Sequence, residues 1–302
     1  LRRYLPRGLP EDTTMPLDTK SYEIPVARSA ADLREAVAAW RAEGLSVALV
    51  PTMGALHEGH LSLVDLARKN ADRTIVSIFV NPTQFAPNED FSAYPRTEAA
   101  DAAKLEGKAD LIFAPNAEDM YPEGFSTTIS LAGVSESLEG TFRPTHFAGV
   151  ATVVAKLILR AMPDIAIFGE KDWQQLMVIR RMVADLDIPT KILGGPIVRE
   201  PDGLALSSRN VYLSPEERKA AGQLNVILRE TAASVANGAP ISEATAKGGK
   251  RILALGFEKL DYLEVRDAAS LAPFPNDRPT APARILVAAK IGKTRLIDNM
   301  PV

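Results

Sequence analysis

From Ser29 onward the apolar positions of the chain switch repeatedly between two patterns. Val47–Val50 (VALV) and Thr74–Val80 (TIVSIFV) are short and almost wholly apolar, whereas Ala30–Arg41 and Leu61–Asn70 repeat their apolar residues every three or four positions. The first pattern suits a strand covered on both faces, the second a helix with one face on a core. The same reading predicts a helix over Thr97–Glu106 with Thr97 as N-cap, a strand over Leu111–Ala114 and a helix over Phe147–Ala161. A strand over Ile165–Phe168 and a helix over Asp172–Leu186 follow. Strands alternating with helices predict an α/β fold, a doubly wound parallel sheet with helices on both faces. Ligands bind such sheets beyond the carboxyl ends of the strands.

Near Gly194-Gly195-Pro196 the pattern changes. Two helices are predicted at Pro215–Ala236 and Ile241–Leu255, then strands at Leu260–Val265, Arg284–Ala289 and Thr294–Ile297. This reads as a smaller α+β domain spanning 197–302, after a first domain spanning 22–196. Residues 1–21 hold prolines and charges without apolar periodicity and read as a mobile arm.

Composition narrows the function. Apolar residues make up 46% and charged residues 24%, as expected of a packed, water-soluble chain. A net charge of −3 argues against a nucleic-acid partner. The most apolar helix, from Phe147, carries Lys156 and Arg160, so no membrane association is expected. With no cysteine, disulfides and thiol nucleophiles are excluded, which fits a cytoplasmic protein.

Two of the three histidines stand in Pro51-Thr52-Met53-Gly54-Ala55-Leu56-His57-Glu58-Gly59-His60, between a strand and a helix. A helix N-terminus offers free N–H groups and a favourable dipole to an anion, and imidazoles three residues apart share one face there. Gly59 would let a flat base approach the backbone. The plain alternative is a polar turn with two solvated histidines. Zinc is disfavoured, because His57-Glu58-Gly59-His60 is one residue short of the H-E-x-x-H spacing. No G-x-G-x-x-G follows a strand, and Gly292-Lys293-Thr294 reads as a hairpin turn, not as the end of a phosphate loop.

Other polar segments also fall after strands or before helices. Phe79-Val80-Asn81-Pro82-Thr83-Gln84-Phe85 offers two amides. Phe168-Gly169-Glu170-Lys171-Asp172-Trp173-Gln174-Gln175 places Lys171 and Gln175 four apart. Leu206-Ser207-Ser208-Arg209-Asn210 offers hydroxyls and a guanidinium that could grip an anion. Pro144-Thr145-His146-Phe147 sets the last histidine before a helix. Each alone is an ordinary loop; the strand pattern predicts that they converge on one sheet edge.

Taken in order, P-T-M-G-A-L-H-E-G-H, S-I-F-V-N-P-T-Q-F, A-Y-P-R-T, R-P-T-H-F-A-G-V, F-G-E-K-D-W-Q-Q-L and V-R-E-P-D-G-L-A-L-S-S-R-N resemble the pantothenate synthetase (pantoate–β-alanine ligase) family, from about residue 22 to the end. The resemblance implies a Rossmann-like ATP- and pantoate-binding domain with a C-terminal lid. The implied activity joins (R)-pantoate to β-alanine through a pantoyl adenylate, with ATP cleaved to AMP and pyrophosphate. Catalysis would fall to His57, His60 (the family's general acid), Lys171, Ser207, Ser208 and Arg209. ATP would lie along Met53, Gly54, Ala55, Leu56, His57, Glu58, Gly59 and His60, with Gly169, Glu170, Lys171, Asp172, Val198 and Leu206. Gln84 and Gln175 would hold pantoate's hydroxyls and carboxylate, with Gln84 also near the β-alanine position and Asn81, Tyr94 and His146 as walls. A homodimer is also implied. Leu206 stands where the family commonly has methionine. The acidic cluster often found after A-Y-P-R-T is thinned to Glu98 and Asp101, which leaves the direct Mg²⁺ ligands open; the ion is expected to be held mainly by phosphates. A nucleotide-binding regulator, a related nucleotidylyltransferase and a metal hydrolase are the competing readings.

Overall fold

Six strands form one sheet in the computed structural model, which describes residues 22–85, 91 and 94–302. They are β1 (Val26–Ala27), β2 (Val47–Thr52), β3 (Arg73–Ile78), β4 (Leu111–Phe113), β5 (Ile165–Gly169) and β6 (Lys191–Gly195). The order is β1-β4-β3-β2-β5-β6, with every neighbouring pair parallel. The order reverses between β2 and β5, so the crevice beyond their carboxyl ends is the expected ligand site. The N-terminal arm lies outside the described residues.

The strands alternate as buried pleated strands must. Val47, Leu49, Ile75, Phe113 and Phe168 join one core with α1 (Ala30–Ala42), α6 (His146–Ala161) and α7 (Trp173–Asp185). Ala48, Val50, Val76, Ile112 and Ile167 join the other with α2 (Glu58–Arg68) and α3 (Glu98–Leu105). Two short helices, α4 (Ala117–Met120) and α5 (Glu139–Phe142), sit in the long connection between β4 and α6. Ser29 and Asp32 close a capping box on α1. Thr97 stands at the N-cap of α3 but makes no capping bond, contrary to expectation; its hydroxyl donates to Asp101 instead, at 3.1 Å. Two strands escape the sequence reading. β1 has only two residues, and β6 is disguised by its two glycines.

Beyond β6, α8 (Pro215–Ala236) and α9 (Ile241–Ala254) cover an antiparallel sheet of β7 (Lys259–Asp267), β8 (Ala283–Ile291) and β9 (Thr294–Pro301) around a separate core. Gly292 and Lys293 turn between Ile291 and Thr294, as the hairpin reading expects. Among the described residues no helix is long and apolar enough to cross a membrane.

Polar contacts join the two halves. Arg295 of β9 donates to both oxygens of Glu139 in α5, at 2.8 and 2.7 Å, and the Tyr262 hydroxyl donates to Glu139 at 2.7 Å. The Arg284 guanidinium lies 3.5 Å over the Trp173 ring and pairs with Glu170 at 3.2 Å. Asn299 Nδ2 donates to the carbonyls of Glu170 and Lys171, at 3.0 and 2.8 Å. The second sheet therefore steadies the backbone of the turn that carries Lys171.

Candidate active site

β2 ends at Thr52, and the chain then turns through Met53–Leu56 to start α2. Asp101 of α3, with no exposed surface, shapes that turn by accepting the Ala55 and Leu56 N–H groups at 2.9 and 2.8 Å. Lys104 Nζ donates to the Leu56 carbonyl at 2.6 Å. His57 is the N-cap of α2, an unusual use of imidazole: its Nδ1 accepts from the Gly59 N–H at 3.1 Å. His60 Nδ1 in turn accepts from the His57 N–H at 3.3 Å, and the rings stand 4.1 Å apart. An accepting Nδ1 has no proton, so each neutral ring carries its hydrogen on Nε2. A Cβ on Gly59 would meet His57 Cε1 at 2.9 Å. Its lack of a side chain thus makes room for the capping imidazole, a nearer reason than approach of a base.

Burial is the main cause that pushes the His60 imidazole down, to about 3, with His57, Lys171 and Lys104 adding to the effect. His57 is also lowered, by burial first and then by Lys171 and Lys104. Both rings are therefore neutral donors at neutral pH. An unfolded imidazole takes up its proton near 6.5, while folded His60 resists until about 3. Its contribution to stability is thus complete above 6.5 and is lost as the pH falls toward 3. The stability difference between wild type and His60→Asn, measured by urea unfolding, is expected to shrink from pH 7 to pH 4; a pH-independent difference would contradict the depressed value.

After β3 the chain makes a 3₁₀ turn at Pro82–Gln84. Asn81, only 1% exposed, donates from Nδ2 to Gln84 Oε1 at 3.2 Å. The Gln84 carbonyl accepts from His146 Nδ1 at 2.9 Å and Arg143 Nη2 at 3.3 Å, while Arg143 Nη1 reaches His146 Nε2 at 3.2 Å. After β5, Glu170–Asp172 forms a second 3₁₀ turn that leads into α7 and Gln175. From the C-terminal half, Ser207 Oγ accepts the Arg209 N–H at 3.2 Å and starts a third such turn.

These elements enclose a cleft of about 250 Å³ beyond β2 and β5. Met53, His57, Gly59 and His60 line it from α2, Asn81, Gln84 and Tyr94 from beyond β3, and His146 from α6. Gly169, Lys171, Asp172 and Gln175 line it from beyond β5, and Val198, Leu206, Ser207, Ser208 and Arg209 close it from the C-terminal side. Val150, Val153, Val154 and Leu157 of α6 supply an apolar wall. Lys171, Arg143 and Arg209 outweigh Asp172, so the lining is cationic, as a polyphosphate requires. Arg143, His146, Lys171, Asp172, Gln175, Ser207 and Arg209 also border a wider cleft of about 1300 Å³ between the two sheets.

Five of the expected nucleotide contacts do not line the small cleft. Gly54, Ala55 and Leu56 lie behind it against Asp101 and Lys104, Glu58 is exposed on the first turn of α2, and Glu170 pairs with Arg284. Arg143 lines the cleft without having been singled out, although its place three residues before His146 in R-P-T-H was a usable signal. The two acids left as Mg²⁺ candidates are committed elsewhere: Asp101 to backbone N–H groups, and Glu98 to Arg28 at 2.7 Å and Tyr22 at 3.2 Å. Among the described residues no group of three His, Asp or Glu could hold a metal ion.

Known proteins share this fold along nearly the whole described chain. The family model for pantoate-beta-alanine ligase matches residues 25–301. The Rhodospirillum rubrum pantothenate synthetase is 58% identical over 280 residues, which span 92% of this chain and 99% of that one. The Thermus thermophilus pantothenate synthetase structure superposes with a TM-score of 0.85 at 45% identity, covering 92% of this chain and 99% of that one. A Francisella tularensis pantoate-beta-alanine ligase, solved complexed with beta-gamma ATP and beta-alanine, gives a TM-score of 0.75 at 37% identity over 92% and 97% of the two chains. With its switch-point cleft, its paired imidazoles and a match over nearly its whole length, the chain belongs to the pantoate-beta-alanine ligase family.

Proposed function

We propose that the small cleft is where this chain carries out its family's reaction, the ATP-dependent condensation of (R)-pantoate with β-alanine. The observation that carries the assignment is the meeting of two imidazole Nε2–H donors, Lys171 and the amides of Gln84 and Gln175 in one cleft at the sheet's switch point. Gln84 and Gln175 hold pantoate, whose dimethyl carbon rests on the valines of α6, with Asn81, Tyr94 and His146 behind. ATP lies between the start of α2 and Ser207–Arg209, its phosphates toward His57, His60 and Lys171. The pantoate carboxylate attacks the α-phosphorus and pyrophosphate leaves, giving pantoyl adenylate; the β-alanine amine then attacks the acyl carbon and AMP leaves.

The chain's task in the first step is to align the carboxylate and to offset charge that grows on the leaving phosphates. His60, neutral before ATP binds, gains proton affinity beside a polyanion and can then act as the acid. Residues 22–196 form the nucleotide- and pantoate-binding unit in this reading. Residues 197–302 form a lid whose Ser207–Arg209 loop shields the adenylate from water. Magnesium would be held mainly by the ATP phosphates, since Asp101 and Glu98 are engaged elsewhere, and would supply neutralisation of phosphate charge there. The absence of cysteine supports a reducing, cytoplasmic setting, and a homodimer is the assembly expected from the family resemblance.

Incubation with ATP, Mg²⁺ and pantoate without β-alanine is expected to release one burst of pyrophosphate per site while the adenylate stays bound. Pyrophosphate that appears only with β-alanine would argue against a separate adenylation step. Gln84→Ala is expected to raise the KM for pantoate by about 10- to 100-fold, the loss of a hydrogen bond to a charged group, with little change for ATP. An unaltered pantoate dependence would remove Gln84 from that role.

A further inference from the structure

A glutamine amide can turn either its NH₂ or its oxygen toward a ligand, and the surroundings of Gln84 decide between them. Asn81 Oδ1 accepts from the Tyr121 hydroxyl at 2.7 Å, from Thr83 Oγ1 at 3.0 Å and from the Thr83 N–H at 3.3 Å. Its Nδ2 therefore points the other way, to the Gly149 carbonyl and to Gln84 Oε1, each at 3.2 Å. Reversing Asn81 would set NH₂ against the Thr83 N–H and oxygen against the Gly149 carbonyl, two main-chain groups whose polarity is fixed. With Oε1 of Gln84 so occupied, Nε2 is directed at the Met53 thioether, 2.8 Å away and only a weak acceptor.

The backbone supports the same arrangement. A Cβ on Gly149 would stand 2.4 Å from the Thr83 carbonyl oxygen and 2.8 Å from the Gln84 nitrogen, so glycine there lets α6 touch the Pro82–Gln84 turn. Burial pushes the Tyr121 hydroxyl up to about 12, which keeps it a donor at every working pH.

We propose that Tyr121, Thr83 and Asn81 form a polarity lock that makes Gln84 present N–H, never oxygen, to the cleft, and so selects a carboxylate over a group that donates. Tyr121 does not line the cleft; it is a positioning residue acting through Asn81. The inference rests on the proposed binding of pantoate by Gln84 and adds that the group it holds is the carboxylate.

The test compares pantoate with its carboxamide, which presents NH₂ in place of one carboxylate oxygen. The quantity read is the inhibition constant of the carboxamide divided by the KM of pantoate, in wild type, Asn81→Leu and the double variant Tyr121→Phe/Thr83→Val. Neither replacement introduces charge. The ratio is expected to fall by about tenfold in Asn81→Leu and about threefold in the double variant, with the KM for ATP nearly constant. General loosening would weaken both ligands alike, so an unchanged ratio in a variant with a normal melting transition overturns the lock. If Asn81→Leu does not fold, the double variant decides alone. A wild-type protein that does not turn over pantoate would instead overturn the assignment of the cleft.

Discussion

Replacing His60 with alanine is expected to lower turnover by about 10²-fold or more, the lower end of acid–base contributions, while the protein stays folded. The reason lies in how the ring is held. His60 Nδ1 is tied to the His57 N–H at 3.3 Å, which leaves Nε2–H as the group that can serve the cleft. Burial, His57, Lys171 and Lys104 all oppose a charge on the ring, and in the proposed role the ATP phosphates offset them. In that role alanine removes both the donor and the acid, whereas glutamine can return an N–H to the cleft and should restore part of the rate. Steady-state kinetics beside a melting curve check this. Near-normal turnover in folded His60→Ala would remove the residue from the mechanism.

Asp101→Ala is expected to cost about 2–4 kcal/mol of stability and to weaken ATP binding, because it strands two N–H groups in the turn that leads to both histidines. The carboxylate accepts from Ala55, Leu56 and Thr97, and Ala55 sits at a φ of 50°, a left-handed conformation that alanine adopts only when held there. Denaturant unfolding and ATP titration read the two effects. A variant with an unchanged unfolding midpoint but an altered Mg²⁺ requirement would show Asp101 to be a metal ligand and not a scaffold for the turn.

The sequence told most about what is local. The strands after Ser46, Arg73 and Asp164 and the helix over Pro215–Ala236 follow from runs and periods of apolar residues, and the structure places them there. The gathering of Pro51–His60, Asn81–Gln84 and Lys171–Gln175 at one sheet edge also follows, since all three segments come after strands that prove parallel neighbours or near neighbours. Less legible was anything decided by a distant partner. Asp101 looked like a possible metal ligand because nothing nearby shows that its acceptors face residues 45 and 46 positions away. Glu139 meets Arg295 across 156 residues, and Tyr121 meets Asn81 across 40, without any motif to mark either pair. β6 escapes the apolar pattern because Gly194 and Gly195, which end it, resemble a linker. The Leu63 side chain of α2 lies within 2.2 Å of where a Cβ on Gly195 would stand, so glycine lets α2 pack closely on that strand.

The most direct test of the ligase activity is product formation from ATP·Mg²⁺ and (R)-pantoate, with and without β-alanine. Sustained AMP release is expected only when β-alanine is present, with pantothenate and pyrophosphate formed in equal amounts. ATP binding without pyrophosphate under either condition would contradict it and would make the cleft a nucleotide sensor or the site of a different acid substrate.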